Sequence, residues 1–175
     1  MTAGEPLHGT FVLDRELSSP PMEVYAAFAE ADRRARWVRM PGKADPGNRY
    51  DVSLGGTEIL RSTMRIGDSV ERIERRTHTL QLVPGRLVVF TYEAVVDDQL
   101  RWVSLVSVGL RESQEQSAGT MLTWTEQYVL LMMAGDGADD VAHLRGGTGL
   151  HLNGLSVALG EGSAIKRAVA GGVGG

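Results

Sequence analysis

The side chains able to do chemistry in this chain are few, and Arg15 is the most informative of them. In the run Phe11-Val12-Leu13-Asp14-Arg15-Glu16-Leu17, apolar and polar residues alternate, and Arg15 falls in phase with Phe11, Leu13 and Leu17. Alternation with a period of two puts these four on one face of a strand. A guanidinium therefore points where apolar groups should pack, and a charge in that place needs a partner or a solvated cavity. Glu126 offers a partner, because it shares a strand face with Leu122, Trp124 and Tyr128. An Arg15–Glu126 cross-strand ion pair is the structural expectation. The functional alternative makes Arg15 the anchor for a carboxylate, enolate or carbonyl of a bound ligand, a task suited to its planar fork.

The four histidines are His8, His78, His143 and His151. His151 lies in an apolar helical stripe with Leu144 and Leu155. It reads either as a core histidine with its hydrogen bonds met or as a cavity-facing acid–base group, since imidazole titrates near neutral pH. Arg15 and His151 lining one pocket could polarise a carbonyl and shuttle a proton. His143 and His151 do not have the four-residue spacing of a helical metal pair, and no metal site is expected. The chain has no Gly-x-Ser-x-Gly elbow, no phosphate-cradling glycine loop and no His-Glu-x-x-His; no cofactor is expected. Tyr92, Trp102, Trp124 and Tyr128 are strand aromatics, suited to the core or to stacking on an aromatic ligand. Trp37 closes a basic turn, as part of a cavity rim or as a pin for a short helix.

The elements that must position these residues follow from periodicity and breakers. A strand is expected over Gly9–Ser18. Ser18 and Ser19 before Pro20 and Pro21 predict a serine-capped helix with proline in its first turn. That helix puts Val24, Tyr25 and Phe28 on one side and runs to about Ala31. A second short helix or turn carries Arg33–Trp37, ended by Pro41-Gly42. After a loop over Lys43–Asn48, strands are expected at Arg49–Leu54, Thr57–Ile66, Val70–Leu82, Leu87–Val96, Arg101–Leu110 and Thr120–Leu131. Their separators, such as Gly67-Asp68 and Asp97-Asp98, are turn-like and predict an antiparallel meander. An amphipathic helix over Ala138–Leu159 closes the pattern. It carries Gly146, Gly147, Gly149 and Gly154, each costly in a helix, which would permit a kink or a close approach to the sheet.

At 175 residues with 42% hydrophobic content, one domain of good core size is expected, over 9–160, with flexible ends at 1–8 and 161–175. A net charge of −4 argues against nucleic-acid binding. The cluster Arg33, Arg34, Arg36 and Arg39 reads as a solvated basic turn, or else as a contact for an anion or acidic partner. The chain has no cysteine, which excludes disulfides, thiol catalysis and cysteine–zinc sites and is in keeping with a cytoplasmic location. No apolar run reaches a membrane span, and the first residues lack signal-peptide regions.

One strand, two helices, about six strands and one long helix form an α+β pattern, in which the helix must cover the apolar face of a curved sheet. This order resembles the START-like (SRPBCC) superfamily and its helix-grip fold: a curved antiparallel sheet of about six or seven strands wrapped around a long C-terminal helix. The chain is most similar there to the family homologous to activators of the heat-shock ATPase. The residues that carry the resemblance are Arg15, Pro20-Pro21-x-x-Val24-Tyr25-x-x-Phe28, Trp37, Gly55-Gly56, Val83-Pro84 before Leu87-Val88-Val89-Phe90-Thr91-Tyr92, and Gly119-Thr120. It spans about residues 10–160. In the last helix the family often has a Gly-Trp pair, where this chain has Gly149-Leu150-His151.

Curvature leaves room for a cavity between sheet and helix. The expected function is binding of a small hydrophobic molecule of lipid, polyketide or aromatic type, with no assigned reaction. Arg15, Trp37, Tyr92, Trp102, Trp124, Glu126 and His151 are the expected contacts. Two alternatives follow from the resemblance. One is a polyketide cyclase, aromatase or dehydratase using Arg15 and His151. The other is a co-chaperone-like domain that stimulates a heat-shock ATPase through its surface. An exposed sheet edge would allow a homodimer.

Overall fold

The computed structural model describes residues 5–115 and 117–161. Its elements are β1 (Leu7–Leu17), α1 (Pro21–Ala29), α2 (Ala31–Trp37), β2 (Lys43–Ala44), β3 (Thr57–Ile66), β4 (Ser69–Val83), β5 (Leu87–Val96), β6 (Gln99–Glu112), β7 (Thr120–Leu130) and α3 (Ala138–Ala158). The seven strands form one antiparallel sheet in the order β1-β7-β6-β5-β4-β3-β2. Tight turns dictate the meander. Gly67 joins β3 to β4 at φ 58°, and Asp97 and Asp98 join β5 to β6 at φ 49° and 63°, the left-handed pair that matches strand twist in a two-residue hairpin. Register shifts at Thr79/Gln81 in β4 and at Ala94/Val95 in β5 bend the sheet as bulges do.

The central strands β5 and β7 alternate buried with partly exposed positions, so one face of the sheet is dry. Helix α3 covers that concave face with Leu144, Thr148, Leu152 and Leu155. The core includes Val24 and Phe28 from α1, Trp37 from α2, and Phe90, Val106, Leu122 and Trp124 from the sheet. Phe90 and Trp124 meet edge to face at 5.5 Å. This is the α+β helix-grip arrangement expected from the sequence, with seven strands and two short helices after the first.

Several local expectations change. β1 starts at Leu7, earlier than expected, because its pairing with β7 extends to Leu7↔Leu130. Arg49–Leu54 is not a strand; only Arg49 bridges to Ile59. Asp51 turns the chain there, accepting hydrogen bonds at Oδ1 from the Ser53 N–H (3.3 Å) and hydroxyl (2.6 Å), a local bond that competes with a ladder. The sheet edge is formed instead by Lys43–Ala44, inside the expected loop. Serine does not cap α1: the N-cap position is Pro20, with no side-chain bond. Ser19 donates from its N–H (3.1 Å) and hydroxyl (3.0 Å) to Glu161 beyond α3. Among the α3 glycines, Gly154 does permit a close approach, but to α2: a Cβ there would lie 3.2 Å from the Trp37 carbonyl oxygen. Residues 1–4 and 162–175 of the expected flexible ends lie outside the described residues. No helix among the described residues is long and apolar enough to cross a membrane.

Candidate functional site

The concave face is built in rows, because strands paired in register set inward side chains side by side. One row crosses the sheet as Glu58, Thr77, Tyr92, Ser104 and Tyr128. The row beside it is Leu60, Arg75, Ala94, Trp102 and Leu130. The row on the other side contains Phe90, Val106 and Glu126. Four charged residues are buried here: Arg34 at 3% exposure, Glu58 at 1%, Arg75 at 7% and Glu126 at 0%.

Two of these charges are fully paired. Arg34 donates from Nε (3.1 Å) and Nη2 (3.2 Å) to the two oxygens of Glu58, a forked geometry that suits a dry site. Its guanidinium also lies 4.7 Å from the Trp37 ring, a cation–π contact. Burial acts to raise the Glu58 carboxyl, and Arg34, with Arg75 further off, overcomes it and holds the group below its usual range. Glu126 is a hub of acceptors. Its Oε1 receives the Tyr92 hydroxyl at 2.5 Å and the Ser104 hydroxyl at 2.7 Å. Its Oε2 receives Trp124 Nε1 at 3.0 Å and the Thr148 hydroxyl of α3 at 3.2 Å. Burial, then the neighbouring Glu126, pushes the Tyr92 hydroxyl well above its usual pKa, so Tyr92 keeps its proton and serves as a donor.

Arg75 is different. Its guanidinium lies over the Tyr92 ring, 4.1 Å from the centroid. It has no hydrogen bond or ion pair among the described residues, and its Nε is buried without an acceptor. Across the small side chain of Ala94, Trp102 is in the same condition: its indole Nε1 is buried and unmatched. Two donors thus lie on either side of Ala94, where β5 supplies only a methyl group. Nearby, His151 Nε2 lies 3.1 Å from the Arg39 carbonyl oxygen. Burial, followed by the positive charge of Arg75, pushes the imidazole down to about 4. At neutral pH the ring is uncharged, and its Nε2–H donates to that carbonyl.

The expected contacts therefore fall in different places. Tyr92, Trp102, Trp124, Glu126 and His151 belong to this buried cluster or its edge. Trp37 pins the helices, its Nε1 donating to the Ala27 carbonyl at 2.8 Å. The Arg15–Glu126 pair does not form. Register sets Arg15 opposite Leu122 and Glu126 opposite Phe11, four strand residues apart, or about 13 Å. Arg15 is half-buried, donates to the Asp14 carbonyl at 3.1 Å, and lies 3.9 Å from where a Cβ on Gly149 would stand. Gly149 and His151 are two residues apart on α3, about 200° around its axis, so Arg15 and His151 occupy opposite flanks. The basic turn is not wholly solvated either: Arg34 leaves it for the core, while Arg33 pairs with Glu23 and Glu30.

Glu58 and Arg75 escaped sequence reasoning, and Arg34 was read only as a member of the basic turn. The signal for Arg75 was present: it is in phase with Ile73, Thr77 and Thr79 on β4, as Arg15 is with its apolar neighbours. The run Glu71-Arg72-Ile73-Glu74-Arg75-Arg76 disguised it as surface. Two surface clefts, of ≈ 520 and ≈ 460 Å³, include none of Arg34, Glu58, Arg75 or Glu126, and no α3 residue lines either. The first lies against Lys43, Asp45, Arg61, Glu74 and Arg76. The second lies over Thr10, Thr91, Leu105 and Gln127. Neither is the expected cavity between sheet and helix.

No family model matches this chain, and no curated protein matches it. Solved structures do. The Mll3558 protein from Rhizobium loti is 28% identical, with a TM-score of 0.71, over 89% of this chain and 99% of that one. An uncharacterised protein from Rhizobium leguminosarum is 26% identical, with a TM-score of 0.70, over 89% and 96%. CalU16 from Micromonospora echinospora is 17% identical, with a TM-score of 0.54, over 93% and 88%; at that identity it shares the fold.

Proposed function

We propose that this protein is a binding module for a small, largely apolar molecule that docks between the concave sheet face and α3, over Ala94. The observation that carries this reading is the pair of buried donors on either side of Ala94, Arg75 Nε and Trp102 Nε1, neither with an acceptor. A buried donor left unmatched costs about 1–3 kcal/mol, and more when charged. A native fold keeps such a group where something else completes it. The same row supplies an apolar bed in Leu60, Ala94 and Leu130. The polar groups suit holding better than proton transfer: Tyr92 retains its proton, and His151 is neutral and engaged with a carbonyl.

The fold supports membership of the START-like superfamily, in which binding of this kind is expected from the resemblance. A cytoplasmic location goes with a chain that has no cysteine.

Filling the position over Ala94 tests the reading. A panel of small aromatic and linear apolar compounds should raise the melting temperature of the wild-type protein, and Ala94→Met, folded by circular dichroism, should lose that response. Stabilisation by no apolar compound, or an unchanged response in Ala94→Met, would overturn the proposal.

A further inference from the structure

We propose that the polar group of the bound molecule is an uncharged carbonyl, as in a ketone, ester or amide, and not a carboxylate. This rests on the binding reading above and names the chemistry of the same site. The two unmatched groups beside Ala94, Arg75 Nε and Trp102 Nε1, are both donors, and indole nitrogen can only donate. The ligand must therefore present an acceptor to these two groups, which an ammonium group cannot do. Charge then separates the remaining acceptors. The buried charged residues among those described are Arg34, Arg75, Glu58 and Glu126, two cations against two carboxylates. His151, the titratable group of α3 facing Arg75, is neutral at pH 7. The interior is balanced before any ligand arrives. A ligand carboxylate would add an unbalanced negative charge close to Glu58 and Glu126, in a place where ions are poorly solvated. A carbonyl oxygen accepts from both donors through two lone pairs and leaves the balance intact. Tyr92 adds to this selection: its proton is already committed to Glu126 at 2.5 Å, and its ring face is occupied by the Arg75 guanidinium. It is therefore not free to reach a ligand anion.

Three probes with one apolar body separate the outcomes: 2-acetylnaphthalene, 2-naphthoate and 2-ethylnaphthalene, titrated into the full chain at pH 7 by tryptophan fluorescence or calorimetry. The ketone should bind more tightly than the hydrocarbon by on the order of tenfold to a hundredfold, as expected for a hydrogen bond to a charged donor. The carboxylate should bind more weakly than the ketone. In Arg75→Met the ketone should lose its advantage over 2-ethylnaphthalene. Arg75→Lys keeps the charge and should recover only part of that advantage, because the fork is absent. If 2-naphthoate binds most tightly, the ligand is anionic and the inference is wrong. If the ketone and hydrocarbon bind equally, the donors are met by water and the inference is wrong, while the binding reading stands. If no probe binds, the binding reading fails with it. The wild-type ranking needs no variant, so poor folding of Arg75→Met does not remove the test.

Discussion

Arg34 and His151 show how a single side chain ties the buried cluster to stability. Arg34 and Glu58 are forked together in a dry site, and removing one partner strands the other charge. We expect Arg34→Met to lose about 3–5 kcal/mol in urea unfolding. The double substitution Arg34→Met with Glu58→Met should cost less than the sum of the two single changes, because it strands no charge. His151 gives a pH signature. Its folded pKa, about 4, lies below the ordinary 6.5, so the unfolded chain binds the extra proton between those values. Stability therefore rises with pH across that window: the contribution is complete above about pH 6.5 and is lost as pH falls towards 4. The span corresponds to up to about 3 kcal/mol. His151→Gln should flatten the stability profile between pH 4 and 6.5; an unchanged profile would show that the ring is not held neutral. Glu58 acts lower on the scale. Its depressed carboxyl contributes stability above the unfolded value of 4.5 that is lost as pH falls through its folded pKa.

Among the elements, α3 is the one whose sequence looks least helical, and its glycines do not share one purpose. A Cβ on Gly146 or Gly147 would meet open space, whereas one on Gly154 would press on the Trp37 carbonyl oxygen at 3.2 Å. Alanine at an open helical position gains up to about 1 kcal/mol. Gly146→Ala should thus raise the midpoint of urea unfolding, and Gly154→Ala should fall short of it, because α2 must yield to make room. In β1, Gly9 has a positional reason of its own: a Cβ there would collide with the Tyr128 hydroxyl and ring, which fold over it. Replacing it by alanine should dislodge Tyr128 and its contact with Phe11. The bulge at Ala94/Val95 is the element-level counterpart of the proposed binding position. A bulge re-aims neighbouring side chains, and here it lies where Ala94, Arg75 and Trp102 meet.

Across the whole molecule, the chain closes on itself at two points. β1 completes the sheet only by pairing with β7, residues 7–17 against 120–130. The end of α3 is tied back through Glu161, which accepts two bonds from Ser19, while Thr120 donates to the Ser19 carbonyl at 2.7 Å. Glu161→Ala should remove about 1 kcal/mol, the usual net value of such bonds. It should also speed amide exchange in the last turn of α3 ahead of the sheet. Equal exchange in both proteins would show that the clasp is idle. The sequence by itself determined the order of elements, the meander and the final helix, because periodicity and turn residues are local signals, and the helix-grip architecture followed from the family resemblance that this order carries. Thr57–Ile66 and Leu87–Val96 were legible to the residue from those local signals. The sequence also named Tyr92, Trp124, Glu126 and His151 as candidates for inward groups, while alternation left Trp102 open because Val103 and Leu105 make the opposite face of its strand apolar too. Tertiary structure alone decided which of them meet. Arg15 and Glu126 share a face but not a register, and face follows from alternation while register follows from pairing between distant strands. Arg34, Glu58 and Arg75 lie among surface-like charges in the sequence. Only the folding of β3, β4 and α2 against one another desolvates them, pairs the first two, and leaves Arg75 beside Trp102 with donors to spare.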